Sequence, residues 1–190
     1  MKRASLLASL FAAALAVAAA AKPEHTNVIV IMADDLGVGD VSYTGGSIQT
    51  PNIDRLAADG MRFTDFHSNG AMCSPTRAAL MTGRYQNRAG IIGIVGEPRE
   101  GKPNTGLGKE EFTFAEALKA KGYATALFGK WHLGHIPEYH PINNGFDEFI
   151  GNIGGCIDYF THTHPRQKNH DWWNKTEEIK EEGYTTHLIT

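Results

Sequence analysis

A cysteine and an arginine stand four residues apart at the start of a predicted helix. Cys73 opens the stretch CSPTRAALMTGR. Ser74 is a favoured N-cap residue, Pro75 suits the first helical position, and Gly83 is typical of a residue that ends a helix. Cys73 would then lie at the positive end of the helix dipole, with Arg77 one turn further along the same face. This position suits a bound anion or an activated nucleophile, although a buried and inert cysteine is the ordinary alternative.

Two adjacent carboxylates, Asp34 and Asp35, follow the apolar and β-branched run 27–32. Such a run predicts a strand that is buried on both faces, as in a parallel or mixed sheet covered by helices. Ligands of open α/β sheets bind outside the carboxyl ends of the strands, and adjacent aspartates repel each other unless a cation or hydrogen-bond donors hold them. The pair therefore suits a hard metal ion, and a solvated turn is the alternative.

Lys130 and His132 stand two residues apart, beyond the end of a strand predicted over 123–128. In an extended segment their side chains would point the same way and could address one ligand. A lysine that reaches solvent and a hydrogen-bonded histidine are the ordinary explanation for an isolated pair of this kind.

Helices and strands alternate along the chain in an order that can position these residues. The stretch 50–60 is predicted to form a helix that ends at a glycine, followed by an alternating strand at 61–66. Thr113 opens a capping box that predicts a helix over 113–121, and a glycine separates this helix from the strand at 123–128. The repeated order predicts an α/β fold, a three-layer sandwich with a central, mostly parallel mixed sheet.

Composition and charge narrow the class of protein. The chain has 190 residues, of which 42% are hydrophobic and 21 are glycine, which is enough for one loop-rich domain with a core. The formal net charge is -3 and no stretch of the chain forms a basic stripe, so nucleic acid is not an expected partner.

Residues 1–21 are predicted to be a signal peptide, because a basic start precedes an apolar run that ends in an A-x-A cleavage site before Lys22. The apolar run is shorter than the ~20 residues that a spanning helix needs, so no membrane span is expected. The mature protein is expected to be exported, to the periplasm or the medium. Export permits a disulfide between Cys73 and Cys156, although two cysteines are few for a disulfide-built scaffold.

Three segments closely resemble the type I sulfatases of the alkaline phosphatase superfamily. The motif C-x-P-x-R, followed by AALMTGR, lies at 73–84, the motif GKWHLG at 129–134, and the stretch PINNGFDEF at 141–149. The resemblance covers roughly 27–162. It implies that 22–190 is the N-terminal part of a sulfatase catalytic domain with an alkaline-phosphatase-like fold, incomplete at its C-terminus. The family's later Asp-Asn metal pair, a further histidine and a further lysine do not occur before the end of the chain.

The resemblance implies hydrolysis of sulfate monoesters, with sulfated carbohydrate as the expected substrate. Cys73 would be oxidised to Cα-formylglycine by a formylglycine-generating or equivalent maturation enzyme. One hydroxyl of the hydrated aldehyde would attack sulfur, and the second would later expel sulfate. Arg77 would steady the nucleophile, Lys130 would bind a sulfate oxygen, and His132 would hydrogen-bond the diol and could take its second proton.

The resemblance also implies a metal site and a substrate contact. Asp34 and Asp35, with the modified Cys73, would hold Ca²⁺, or alternatively Mg²⁺, which would polarise the sulfate. In sulfatases that act on sugar sulfates, a small polar residue near the substrate falls close to the position of Cys156 here. Cys156 is therefore a candidate substrate-binding residue.

Other functions remain open at this stage. A phosphonate monoester or phosphodiester hydrolase of the same superfamily can share the C-x-P-x-R nucleophile. A catalytically incomplete, truncated sulfatase-like protein could bind sulfated sugars without turnover. A cysteine phosphatase is excluded by spacing, because its C-x5-R motif needs an arginine where Ala79 stands.

Overall fold

The computed structural model describes residues 26–98, 100–101 and 103–190, so the predicted signal peptide at 1–21 lies outside the described residues. The chain divides into two units after Ala33. In the first unit, the described residues 26–33 form no regular secondary structure, and Ile29 is 83% exposed. The predicted strand over 27–32 is therefore wrong. No strand among the described residues pairs with this run, and an apolar run becomes a buried strand only where neighbours cover it.

Four strands form one mixed sheet in the second unit. They are β1 (Ala126–Phe128), β2 (Glu148–Gly151), β3 (Trp173–Asn174) and β4 (Glu177–Glu178), in that spatial order. Strands β1 and β2 are parallel, with Leu127 opposite Phe149, whereas β2–β3 and β3–β4 are antiparallel. The predicted α/β class with a mixed sheet is confirmed.

Four α-helices accompany the sheet in the described part of the chain. They are α1 (Pro51–Asp59), α2 (Cys73–Thr82), α3 (Phe114–Lys119) and α4 (Thr185–Leu188). Short 3-10 turns at Val38–Asp40, Ser42–Thr44, Pro137–Tyr139 and Pro141–Asn144 connect them to the rest of the second unit. Helix α1 forms where the sequence predicts it, between Thr50 and Gly60.

Helix α2 begins two residues earlier than the cap residues predict. Met72 is the N-cap residue and makes no side-chain cap, and Cys73 is already the first helical residue. The prediction that Ser74 caps the helix and Pro75 opens it is wrong, because the Ser74 hydroxyl is used elsewhere. The end of the helix is as predicted: Gly83 has a φ of 65° and its N–H donates to Ala79. Cys73 therefore does lie at the positive end of the helix dipole.

The predicted capping box of α3 is present in full. The Thr113 hydroxyl accepts from the Glu116 N–H at 3.1 Å, and the Glu116 carboxylate accepts from the Thr113 N–H at 2.8 Å. The helix ends at Lys119, two residues earlier than predicted, and a glycine with a φ of 85° follows at position 122.

The strand predicted over 61–66 does not form, although its residues alternate as a strand should. Met61 and Phe66, which would lie on opposite faces of such a strand, are 82% and 80% exposed, so neither face of the segment is buried against a neighbour. Period-two alternation stabilises a strand only when one of its faces packs on a core. The strand predicted over 123–128 is shortened to β1.

Backbone pairing continues past the carboxyl end of β1. The N–H groups of Gly129, Trp131 and His132 donate to the carbonyls of Ile150, Asn152 and Ile153 at 2.8, 2.9 and 3.0 Å. This pairing fixes the segment 129–132 beside 150–153 without a regular strand, and it carries Lys130 and His132 to the edge of the sheet.

One hydrophobic core joins the helices to the sheet. Trp131 and Phe146 lie at its centre with their rings 6.2 Å apart in an edge-to-face arrangement. The buried members come from α2, α3, β2 and the loops between them: Ala78, Met81, Ala89, Ile91, Val95, Leu107, Ala115, Trp131, Leu133, Phe146, Phe149 and Ile153. Within the described residues, no helix has the length and apolar character that crossing a membrane requires.

Candidate active site

Three charged side chains from distant parts of the sequence converge in the second unit. The Lys130 ammonium donates to Asp34 Oδ2 at 2.8 Å, and Arg77 Nη2 lies 3.7 Å from Asp34 Oδ1. The two cations are largely buried, with side-chain exposures of 15% and 13%, whereas the Asp34 side chain is 46% exposed. The cluster therefore presents an accessible carboxylate backed by two partly desolvated positive charges.

The Arg77 side chain is fixed from two sides. Its Nη1 donates to the backbone carbonyl of Lys130, which connects α2 to the end of β1. Burial lowers the pKa of Arg77, and the negative charges of Asp34 and of Cys73 oppose that shift. Its buried Nε has no hydrogen-bond partner within the described part of the chain, so one donor of the guanidinium is left for a ligand.

The charge state of Asp34 follows from its neighbours. Partial burial acts to raise its pKa, but the hydrogen bond and charge of Lys130, with Arg77, hold that pKa below its usual value. Asp34 is therefore ionised at neutral pH. Asp35 follows in an exposed position with a φ of 57°, in the left-handed region that aspartate tolerates better than most residues.

His132 is buried and its ring makes one hydrogen bond. Nε2 lies 3.1 Å from the Val95 carbonyl oxygen, while Nδ1 is buried and has no partner among the described residues. Because a carbonyl oxygen only accepts, Nε2 carries the proton of the neutral ring and Nδ1 keeps a free lone pair. Burial, together with the charges of Lys130, His135 and Arg77, lowers the pKa of His132 to about 4, so the ring is neutral at pH 7.

The chain turns at His132, which has a φ of 56°. The predicted extended geometry, in which Lys130 and His132 point the same way, is therefore wrong in detail, because the Lys130 side chain reaches Asp34 and the His132 ring faces Val95. The two residues nonetheless stay near enough for the ammonium to lower the pKa of the imidazole.

The backbone of Gly155 covers the His132 ring. A Cβ added at Gly155 would lie 2.5 Å from Cε1 of His132 and 2.7 Å from Nε2, which is closer than real side chains approach. Asp171 holds this loop, since its carboxylate accepts from the N–H groups of Ile153 at 3.0 Å and Gly154 at 2.7 Å. The loop 153–155 thus limits the positions that the ring can take.

The two cysteines lie apart and both are free thiols. The bridge between Cys73 and Cys156 that export would allow is not formed. Cys73 is half-buried at the start of α2, within electrostatic range of Arg77. Cys156 is exposed, with its Sγ 3.6 Å from His164 Nε2, directly after the glycine that covers His132.

The described residues supply only part of a metal site. No group of three or more histidine, cysteine, aspartate or glutamate side chains among them is arranged to hold a metal ion. Asp34 and Asp35 are nevertheless adjacent carboxylates, both exposed, and carboxylate oxygen is the donor that Ca²⁺ prefers. The donor set fits two of the ligands of a calcium site.

Sequence reasoning missed the roles of Ser74, Val95 and Gly155 around the His132 ring. The Ser74 hydroxyl accepts from the Val95 N–H at 3.1 Å, and the Val95 carbonyl faces His132. Val95 lies in a glycine-rich loop without periodicity, so no sequence pattern marks it. The adjacent glycines at 154 and 155 were the available signal, because paired glycines often mark a close approach of backbone to another group.

Comparison with known proteins matches most of this chain to one protein family. The model of the family described as Sulfatase matches residues 26–189. The N-acetylgalactosamine-6-sulfatase of Sus scrofa is 43% identical over 152 residues, which are 77% of this chain and 29% of that protein. The chain therefore spans less than a third of the length of this curated relative.

Solved structures resemble the fold as well as the sequence. The crystal structure of Ps i-CgsB in complex with k-i-k-neocarrahexaose has a TM-score of 0.71 and 35% identity, covering 82% of this chain and 37% of that one. The structure of BT4656 in complex with its substrate D-glucosamine-2-N,6-O-disulfate has a TM-score of 0.63 and 31% identity, covering 82% of this chain and 27% of that one.

Proposed function

The chain belongs to the sulfatase family, and we propose that the protein hydrolyses sulfate monoesters, with sulfated carbohydrate as the substrate. One observation carries the proposal: Arg77 and Lys130, from distant segments, are brought together on Asp34, and Arg77 is within electrostatic range of Cys73, the first residue of α2. A sulfate monoester is an anion with a poor leaving group, and its hydrolysis needs a nucleophile and fixed positive charge around the oxygens. The cluster supports the proposal by supplying the fixed positive charge, and Cys73 is the candidate nucleophile.

Cys73 is the proposed nucleophile. As the resemblance to type I sulfatases implies, a maturation enzyme would oxidise it to Cα-formylglycine, whose hydrate supplies both the attacking hydroxyl and the means of releasing sulfate. The position of Cys73 as the first residue of α2 supports this role, because the helix dipole and Arg77 both favour negative charge on the attacking oxygen.

Lys130 and Arg77 would bind and orient the sulfate group. Both side chains are mostly shielded from solvent, so each charge acts through a lower effective dielectric than at the protein surface. The free Nε of Arg77 and the three donors of the Lys130 ammonium can reach more than one oxygen, since Asp34 uses only part of their capacity.

His132 would accept a proton during the reaction. Its Nδ1 lone pair is buried and unused, and its low pKa keeps the ring neutral at physiological pH. A neutral imidazole can accept a hydrogen bond from the hydroxyl of the modified Cys73, which an imidazolium cannot.

Asp34 and Asp35 would hold Ca²⁺, or Mg²⁺ in its place, together with the modified Cys73. The exposed, ionised carboxylate of Asp34 supports this assignment, because calcium binds carboxylate oxygens and takes six to eight of them. A bound cation would polarise the sulfate and help to ionise the attacking hydroxyl. Lys130 and Arg77 keep Asp34 ionised at the pH values where a ligand must be charged.

The substrate is proposed to be a sulfated sugar, and export to the periplasm or the medium would bring the protein to such polymers. The relatives support this class, since the porcine protein is named for a sulfated amino sugar and BT4656 was solved with a sulfated glucosamine. Cys156 is retained as a candidate substrate contact, because it follows the loop that covers His132 and is exposed.

The test combines a chemical and a kinetic measurement on protein co-expressed with a formylglycine-generating enzyme. Mass spectrometry of the peptide that contains residue 73 should show an aldehyde in place of a thiol. Parallel assays with aryl sulfate and aryl phosphate esters should show preferential cleavage of the sulfate. An unmodified thiol after co-expression, or preferential cleavage of a phosphodiester or phosphonate ester, would contradict the proposal.

A further inference from the structure

We propose that the backbone of Val95, held by the Ser74 hydroxyl, is the positioning element for His132: it fixes the orientation of the ring and which ring nitrogen carries the proton. The catalytic role of His132 in this inference rests on the proposed function. The structural content of the inference, the identity of the protonated ring nitrogen, is independent of that function.

The Val95 backbone is hydrogen-bonded at both its N–H and its carbonyl. Its N–H donates to Ser74 Oγ at 3.1 Å, and its carbonyl accepts from His132 Nε2 at 3.1 Å. Ser74, Val95 and His132 are 0%, 2% and 5% exposed, so water does not compete for either bond. The backbone of one buried residue therefore connects the first turn of α2 to His132.

The Val95 carbonyl determines which ring nitrogen carries the proton. If Nδ1 carried it instead, the lone pair of Nε2 would face the lone pairs of the carbonyl oxygen in a buried site, and Nε2 would be left without a donor. The backbone of Gly155 against the ring restricts rotation to another position. The neutral ring is thus held with Nε2 towards Val95 and Nδ1 free.

The use of the Ser74 side chain supports a positioning role. Ser74 stands in the first turn of α2, where a serine hydroxyl commonly caps backbone N–H groups, yet the helix has no side-chain cap and the hydroxyl binds Val95. Ser74 directly follows Cys73 in the chain. The hydrogen bond from Ser74 to Val95 therefore also fixes Val95 relative to the residue proposed as nucleophile.

These hydrogen bonds therefore fix the position of the proposed proton acceptor, Nδ1 of His132, relative to the proposed nucleophile, Cys73. A shift of the loop that contains Val95 would move the acceptor of Nε2 and release the ring to the other tautomer, in which Nδ1 is a donor and cannot accept a proton. Ser74 occupies a variable position of the motif C-x-P-x-R, so its replacement leaves the motif intact.

The experiment measures the tautomer directly. Protein labelled with ¹⁵N-histidine is studied at pH 7 by long-range ¹⁵N–¹H correlation, and the His132 signals are assigned by their loss in His132→Gln. In the wild-type protein, we expect Nε2 to be protonated and Nδ1 to show the shift of an unprotonated ring nitrogen. In Ser74→Ala, signals of the other tautomer should appear, and kcat/KM for an aryl sulfate should fall about tenfold, the scale of one lost buried hydrogen bond.

Thr76→Ala is the matched control. Thr76 also fills a variable position of the motif on the same helix, but its hydroxyl donates to the Gly70 carbonyl and not to Val95. This variant should keep the wild-type tautomer. Formylglycine content is measured in each variant by mass spectrometry, so that a maturation defect is not mistaken for a positioning effect.

Two results would overturn the inference. The first is protonated Nδ1 at His132 in the wild-type protein, which decides the question even if Ser74→Ala does not fold. The second is a folded Ser74→Ala with unchanged tautomer. Absence of sulfatase activity in every variant would contradict the proposed function while leaving the tautomer measurement decisive for this inference.

Discussion

The Lys130 ammonium lies 2.8 Å from Asp34 Oδ2, although 96 positions separate the two residues in the sequence. Arg77 approaches the other carboxylate oxygen, so one aspartate gathers the two cations that are proposed to bind sulfate. The carboxylate offsets part of their mutual repulsion and leaves the cluster with a net positive charge. That balance suits an anionic ligand that is bound and then released.

Replacing Lys130 by Gln should lower kcat/KM for an aryl sulfate by about 100-fold or more, the usual scale for removing one charged donor from a reacting oxyanion. The substitution removes a partly buried charge that the proposal places on a sulfate oxygen. Steady-state kinetics with formylglycine content measured in parallel would test it. Lys119→Gln is the control, because Lys119 pairs with Asp147 at an exposed position. Equal activity in the two variants would contradict the assigned role of Lys130.

The low pKa of His132 predicts that the free energy of unfolding decreases as the pH falls below 6.5. Burial and the nearby charges lower that pKa from 6.5 to about 4 in the folded chain, so between these values the unfolded chain binds more protons. The stabilisation that comes from burying the neutral ring is therefore complete above pH 6.5 and is lost as the pH falls towards 4.

Urea unfolding at pH values from 7 to 4 would measure this dependence. The His132→Gln variant should lose part of the slope, because glutamine does not titrate. An NMR titration should place the His132 midpoint near 4, well below 6.5. A midpoint for His132 at or above 6.5 would contradict the prediction.

Some of this site could be predicted from the sequence. The motifs that resemble a known family contain Arg77 and Lys130, which the structure brings together with Asp34, whereas the strand expected to place the acidic pair does not form. Periodicity alone was less reliable: the runs 27–32 and 61–66 have strand patterns but no strand forms in either, because neither run is covered by neighbours among the described residues. Local patterns specify what a segment can do, and tertiary packing decides whether it does so.

The hydrogen-bond environment of His132 could not be predicted, for a different reason. Val95 acts through its backbone, so any residue type could supply the same N–H and carbonyl, and the loop around it has no period to indicate its path. Ser74 lies within the motif C-x-P-x-R, yet its place before Pro75 favoured a helix cap. Only the arrangement in space shows that it binds Val95 instead.

Gly155→Ala should displace the His132 ring. The added Cβ would lie 2.5 Å from Cε1, and the ring cannot move away freely because Val95 holds its Nε2. Such overpacking costs about 1–3 kcal/mol of folding stability. We expect a loss in kcat/KM of at least about tenfold, since small displacements of catalytic groups are costly.

Thermal unfolding and kinetics would test the Gly155 variant against Gly93→Ala. Gly93 lies in the same region as Val95, but a Cβ added there meets no atom within 4 Å. The control should therefore remain within about 0.5 kcal/mol of the wild-type stability. If both variants behave alike, the close approach of Gly155 does not constrain His132.

Asp171→Asn should loosen the loop that covers His132 without touching the ring. The Asp171 carboxylate accepts from Ile153 N–H, Gly154 N–H and Trp173 Nε1, and an asparagine must turn an NH₂ group towards at least one of these donors. A buried donor left without an acceptor costs about 1–3 kcal/mol. Hydrogen exchange of the Gly154 amide should accelerate, and unfolding should occur at lower urea. The control is Asp158→Asn, whose carboxylate accepts from backbone N–H groups of the exposed segment 160–161. Unchanged protection of Gly154 in Asp171→Asn would show that this carboxylate does not hold the loop.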